Sequence, residues 1–190
     1  MSAPYAKTIR KLLENADIVH DKFHISKHLN DAVNLARARE HRKLMKNKDE
    51  TLKGSKFTFL KGLESLSDEA VDKIARLKKA DSKVAKAWYV KELFRHFWLR
   101  RDKEFAQSFF NYWLQEALKI KVPSITKVAR MLKKHLKNIL TYFASYITNG
   151  LAEGFNSKIQ SLKSNARGFR NFDNYRTRIL FFCGKLSLHP

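Results

Sequence analysis

The sequence has 190 residues and a formal charge of +21, with 39 Lys and Arg against 18 Asp and Glu; 44% of residues are hydrophobic and 12% aromatic. That apolar share can bury a core, which excludes a wholly disordered basic tail, and the single Cys183 excludes a disulfide scaffold or a multi-cysteine zinc site. No apolar run approaches the roughly 20 residues of a membrane span, the first residues lack a signal-peptide core, and Gly (6) and Pro (3) are scarce. A soluble, cytoplasmic, mainly α protein is the expectation. At this charge the expected partner is a polyanion, nucleic acid before any other, and not a membrane.

Ser2 and Pro4 read as an N-cap and first-turn pair that opens a short helix through about Glu14. Ala16-Asp17-Ile18-Val19-His20 is a short β-type run, the first of two strand candidates. A long helix is predicted from about Ser26, with Ile25, Leu29, Ala32, Val33 and Ala36 on one side. Beyond Ala36 its composition turns almost wholly polar, as in a helix that projects into solvent or bridges to another lobe. Residues 47–66 are the least regular, and Lys56-Phe57-Thr58-Phe59-Leu60 is the second strand candidate. Ser67 caps the next helix, with Asp68 and Glu69 in the first turn as the helix dipole favours.

Helices over about 82–99 and 103–119 come next, carrying Trp88, Trp98 and Trp113 with Phe94, Phe97, Phe105, Phe109 and Phe110. Helical spacing makes these rings a core where helices cross, ahead of a base-stacking platform. Pro123 opens a helix in which Ile125, Val128, Leu132, Leu136, Ile139 and Phe143 recur at spacings of three and four. Lys127, Arg130, Lys134 and Lys137 form a stripe on another of its faces. Helices over about 149–166 and 173–183, separated by Gly168, close the chain, with Cys183 expected to be a buried, inert thiol among Leu180, Phe181 and Phe182.

The charge is uneven. Residues 1–116 carry a net +9 with mixed signs, whereas residues 117–190 carry +12 with only Glu153 and Asp173 as acids. No acid occurs between Glu116 and Glu153, which points to an electrostatic footprint for phosphate. His20, His24 and His28 repeat every four residues, but His20 stands at the end of a strand candidate, so helical metal-face spacing does not apply; His24 is expected to be hydrogen-bonded at the turn. On the helix from Asn149, the residues Glu153, Asn156, Gln160, Lys163 and Arg167 share one face, and Phe155, Ile159, Leu162 and Ala166 another. A carboxylate followed by amides and cations on one face suits either a metal ligand beside a phosphate backbone or an ordinary polar helix surface.

Two blocks carry a family likeness. Ile18-Val19-His20-Asp21-Lys22-Phe23-His24, with Asn30 and Ala32-Val33, resembles a block in DDE transposases of the ISL-three insertion-sequence family. The run Asn149-Gly150-Leu151-Ala152-Glu153-Gly154-Phe155-Asn156-Ser157-Lys158-Ile159 resembles that family's Glu-Gly-x-Asn block. Its continuation, Ala166-Arg167-Gly168-Phe169-Arg170-Asn171 and then Tyr175-Arg176, Arg178-Ile179-Leu180, is similar as well, and Leu52-Lys53-Gly54 and Lys91-Glu92-Leu93-Phe94-Arg95 also fit.

The resemblance implies a ribonuclease-H-like catalytic core interrupted by a helical insertion. It also implies cleavage and joining of transposon DNA by two Asp and one Glu that hold divalent magnesium or manganese. Glu153 matches the third acidic, metal-holding ligand; Asp21 and His24 match a motif that supports the site without holding metal. The DNA-binding set is then Lys127, Arg130, Lys134, Lys137, Asn156, Lys163, Arg167 and Arg170, and a homo-oligomer is compatible with this reading. On the same likeness residues 1–30 are the end of the catalytic core, 31–148 the insertion and 149–190 the closing core helices.

The sequence departs from the family at Met1-Ser2-Ala3-Pro4-Tyr5, which matches the residues just after the second catalytic Asp. The expectation is therefore a carboxy-terminal transposase fragment, inactive alone, binding DNA but no metal. A stand-alone basic helical nucleic-acid-binding protein is the alternative, and a helical scaffold whose charge only maintains solubility is a third reading.

Overall fold

The computed structural model of the chain describes residues 7–8, 11–13, 17–146 and 150–184. Ser2, Pro4, Glu14 and Asn149 lie outside the described residues, while Lys7, Thr8, Lys11 and Leu12 are helical. The described residues are mainly α and contain no strand. Two compact units are present, residues 1–146 and 147–190.

In the first unit, α1 (Lys22–Lys46) begins one turn earlier than Ser26 because Asp21 caps it: the carboxylate accepts from the Phe23 N–H at 3.0 Å. Ile25, Leu29, Ala32, Val33 and Ala36 face the core, and Lys43 and Lys46 stand in the last turn, where the helix dipole favours cations. The strand candidate before it is not a strand. Asp17–His20 is irregular, Val19 packs against the core, and the His20 N–H donates to Asn138 O at 3.2 Å, a helical residue and not a strand neighbour.

The second strand candidate is also a helix, α2 (Lys56–Leu60), which buries Phe59 and leaves Phe57 68% exposed. Its C-terminal carbonyls explain why a helix wins. The Lys91 ammonium donates to the carbonyls of Phe59, Leu60 and Lys61 at 3.2, 3.2 and 2.7 Å, satisfying acceptors that a helix end leaves open. A distant residue thus overrides the two-residue alternation.

Next, α3 (Asp68–Lys79) is capped by Ser67, whose hydroxyl accepts from Ala70 N–H at 3.4 Å. Then α4 (Lys83–Arg95) runs into a 3-10 turn, His96–Leu99, and α5 (Lys103–Lys119) starts where the Asp102 carboxylate accepts from the N–H groups of Glu104 and Phe105. The polar second half of α1 is tied back by Glu40, which accepts from Val84 N–H at 2.7 Å at the start of α4. Pro123 occupies the first turn of α6 (Pro123–Lys134), where its missing N–H costs nothing. The Ser124 hydroxyl donates to Ala32 O at 2.8 Å and fixes α6 against α1.

The helix expected to run on to Phe143 breaks at His135 into α7 (Leu136–Leu140) and α8 (Tyr142–Ser145). The neighbouring pairs Ile139–Leu140 and Tyr142–Phe143 are all buried, a width that one stripe of a straight helix does not cover. The breaks re-aim these side chains into the core.

That core lies where α1 meets α4 and α6, with α5 against α4 and α6. Trp113, Phe94, Phe97 and Phe110 are essentially solvent-free, Trp88 is buried and Trp98 half-buried. Ring centroids of Phe94 and Trp113 are 4.7 Å apart, and those of Phe97 and Phe143 5.2 Å. The indole N–H groups donate to backbone, Trp113 to Val90 O at 2.9 Å and Trp88 to Lys61 O at 3.2 Å. These tryptophans are core.

In the second unit, α9 (Gly150–Asn165) and α10 (Phe172–Cys183) pack together. Between them Arg167 (φ 51°) and Gly168 (φ 94°) take left-handed backbone, and Gly168 N–H donates to Lys163 O at 2.9 Å to close the end of α9. Asn171 caps α10 by accepting from Asp173 N–H at 2.7 Å. Cys183 is half-buried, not buried, because Leu180, Phe181 and Phe182 beside it are each half or more exposed.

Candidate nucleic-acid interface and carboxylate

The acid-free stretch folds with its apolar residues inward. Val122, Ile125, Ala129, Leu132, Ile139 and Leu140 are buried, while Lys119, Lys121, Lys127, Arg130, Lys133, Lys134 and Lys137 are all exposed. Every Lys and Arg between Glu116 and Glu153 therefore faces water. A groove beside the start of α6, lined by Leu118, Lys121, Pro123, Thr126, Lys127 and Arg130, combines three cations with a partly apolar floor. Lys119, Lys121 and Lys133 were not singled out from the sequence; the exposure of Lys133 follows from the helical period that turns Ile125 and Leu132 inward, whereas Lys121 stands in the loop before α6 with left-handed backbone (φ 51°).

In the second unit, Glu153 stands in the first turn of α9. Asn156, Gln160 and Lys163 follow on the exposed side of that helix, Arg167 and Arg170 are exposed just beyond it, and Ile159, Leu162 and Ala166 are half-buried. A first-turn carboxylate is favoured by the helix dipole. The expected sharing of one helical face holds for Glu153 to Lys163; Arg167 has left the helix, with its left-handed backbone.

Asp21 and His24 sit at the start of α1. Asp21 is engaged in capping, and His24, expected to be hydrogen-bonded at the turn, is exposed, its ring meeting Phe23 edge-on at 5.8 Å. His20 precedes the helix and packs edge-on against His135 at 5.2 Å. Burial holds His28 below the usual imidazole range, with Asp31 pulling the other way. Among the described residues no group of three or more His, Cys, Asp or Glu comes together that could hold a metal ion.

Similarity to known proteins covers nearly the whole chain. Over 182 residues it is 21% identical to the transposase for insertion sequence element IS1001 of Bordetella parapertussis, a match spanning 94% of this chain and 45% of that protein. Over 120 residues it is 29% identical to the transposase for insertion sequence element IS1557 of Mycobacterium tuberculosis, spanning 63% of this chain and 27% of the relative. The chain thus spans less than half the length of these curated relatives. No solved structure matches. The family model for this type of transposase matches residues 1–179, from before Asp21 to past the Glu153 block, and the chain belongs to the ISL-three family of DDE transposases.

Proposed function

We propose that this chain is the DNA-holding, carboxy-terminal portion of a transposase, and that it supplies one catalytic carboxylate, Glu153. The observation that carries the DNA reading is the fold of the acid-free stretch: seven cations outward, the apolar positions inward, and no carboxylate among them. Such a surface neutralises phosphates along a backbone and carries no sequence readout by itself. Lys127, Arg130, Lys134 and Lys137 serve in the first unit, and Asn156, Lys163, Arg167 and Arg170 in the second.

On the family resemblance, residues 1–30 and 149–190 belong to a ribonuclease-H-like core and 31–148 to a helical insertion. The division between the compact units after Tyr146 supports the second boundary; at the first, residues 1–30 share a unit with 31–146, and α1 runs through residue 30. Asp21 then supports the site through the start of α1, as its cap, with His24 one turn inside. Glu153 would be one of the acidic ligands of divalent magnesium or manganese, which supply activation of the attacking hydroxyl and stabilisation of the leaving oxygen in this class of reaction. One carboxylate does not hold two ions, so strand cleavage and joining need ligands from outside these 190 residues.

The test is duplex binding as a function of salt for the wild type and for Lys163→Gln with Arg167→Gln. Each phosphate contact contributes a log–log slope of about −0.9, so the double variant should bind with a slope shallower by about 2, equally on unrelated duplexes. Equal slopes remove this part of the second unit from the binding surface. The chain alone should not cut or join DNA with magnesium or manganese; metal-dependent cutting that Glu153→Gln abolishes would overturn the single-carboxylate reading.

A further inference from the structure

We propose that the outward side of α5, where Phe105, Phe109 and Tyr112 stand, is a stacking platform for unpaired nucleobases. The sequence groups Phe105 and Phe109 with the core aromatics; the structure leaves Phe105 exposed and Phe109 only partly buried at the edge of the core. Ala106, Phe110, Trp113, Leu114 and Ala117 turn inward from α5 and are buried. Phe105 and Tyr112 remain 57% and 50% exposed, with Phe109 partly buried between them. Offsets of four and seven residues put all three rings on one side of the helix. Successive rings are spaced about 4.5–6 Å along the axis, with Phe109 and Tyr112 meeting edge-on at 6.1 Å between centroids.

The cations around these rings identify the occupant. The Arg101 guanidinium lies 5.5 Å from the Phe105 ring centre and that of Arg100 4.6 Å from Phe109. Arg100 Nε donates to His96 O at 2.9 Å, which places its guanidinium, and Arg101 Nε lies 3.7 Å from an oxygen of the Asp102 carboxylate. The other oxygen of that carboxylate accepts from the first N–H groups of α5. Aromatic faces with guanidinium groups beside them match a strand in which π faces alternate with phosphates. In a duplex those faces are already stacked, so the platform selects unpaired strands. A purely apolar protein partner would have no use for the guanidinium groups.

This inference rests on the nucleic-acid reading above, and its test separates the two. The full chain is titrated with an oligo-dT strand and with a duplex of equal length, as wild type, as Phe105→Ala with Tyr112→Ala, and as Phe105→Trp with Tyr112→Trp. Both replaced rings are half or more exposed, so the variants keep the core, which circular dichroism and thermal melting check. The alanine pair should lose roughly tenfold or more in single-strand affinity with duplex affinity unchanged, and the tryptophan pair should restore it. Unchanged single-strand affinity, with duplex binding still steeply salt-dependent, overturns the platform and leaves the DNA reading standing. An equal loss on both probes also overturns it. So does dissociation of a dimer in the alanine pair without change in affinity, because the face would then join copies of this chain. A wild type that binds neither probe overturns the DNA reading and the platform with it.

Discussion

At the scale of single residues, charge is used in two different ways. The exposed lysines of α6 and α7 reach into solvent, whereas Lys91, Glu92, Arg95 and Glu64 form a connected set that pins α2 and the turn after it to α4. Lys91 is almost enclosed, and burial pushes its ammonium below the usual lysine range, yet three carbonyls keep it supplied with acceptors. Glu92 accepts from Leu63 N–H and from Arg95, each at 3.0 Å, and Arg95 grips Glu64 with both terminal nitrogens. That hydrogen-bonded fork holds the Glu64 carboxyl well below its ordinary value of 4.5, at about 2. Because the folded-state value is the depressed one, the pair's contribution is fully present above about pH 4.5 and is lost as pH falls towards 2. A carboxyl-detected NMR titration should therefore place the Glu64 midpoint near 2, and Arg95→Gln should return it towards 4.5. A wild-type midpoint already at the ordinary value would mean that the fork does not form in solution. Glu64 is well exposed, so salt should weaken the effect.

At the scale of elements, the core was legible because each helix carries its own apolar period. The crossing of α4 and α5 is the clearest case: Trp113 is solvent-free, meets Phe94 and Phe110, and commits its one side-chain donor to Val90 O. Trp113→Ala should cost about 3–5 kcal/mol in denaturant unfolding, since it removes a large buried ring and leaves a cavity. A variant of normal stability with weakened single-strand binding would place this ring in the binding surface instead. The cap at Ser67, Pro123 in the first turn of α6, the reach of α5 and the inward side of α1 follow from residues within one turn of each other. What the sequence hid was non-local. Phe57 and Phe59 alternate as in a strand, and Lys91, some thirty positions away, is what stabilises the helical end of α2. Ile18 and Val19 have the composition of a strand, but no described strand lies beside them, and His20 bonds to a helix. The break at His135 was hidden by the regular spacing of Leu132, Leu136 and Ile139, which reads as one helix until Leu140 and Tyr142 also need burial. For the candidate site, Glu153 and the cations after it were readable as a helical face, and the inward turn of the neighbouring α5 residues was not enough to tell Phe105 from Phe110. That distinction needs the position of the core.

For the whole molecule, the charge of +21 is divided between two compact units: the first exposes cations along its acid-free stretch after Glu116, and the second has only Glu153 and Asp173 as acids. A strongly positive field draws in a polyanion from a distance and accelerates encounter at low salt, without selecting sequence. The salt dependence of the bound state is set by how many phosphates are neutralised, because each releases its own share of condensed counterions. Lys127, Arg130 and Lys134 belong to the first unit, and Lys163 and Arg167 to the second, so removing one set leaves the other unit's fold untouched. The triple variant Lys127→Gln, Arg130→Gln, Lys134→Gln should flatten the salt dependence of duplex binding by about 3 in log–log slope, and joining it to Lys163→Gln, Arg167→Gln should flatten it by about 5. Additivity is the informative quantity, since exposed sites without shared partners contribute independently. A combined variant no flatter than the triple one would confine DNA to the first unit and leave the polar residues after Glu153 as ordinary solvated surface. A combined slope reduced by the full amount, alike on every duplex, means that both units hold the phosphate backbone and that sequence choice is made elsewhere.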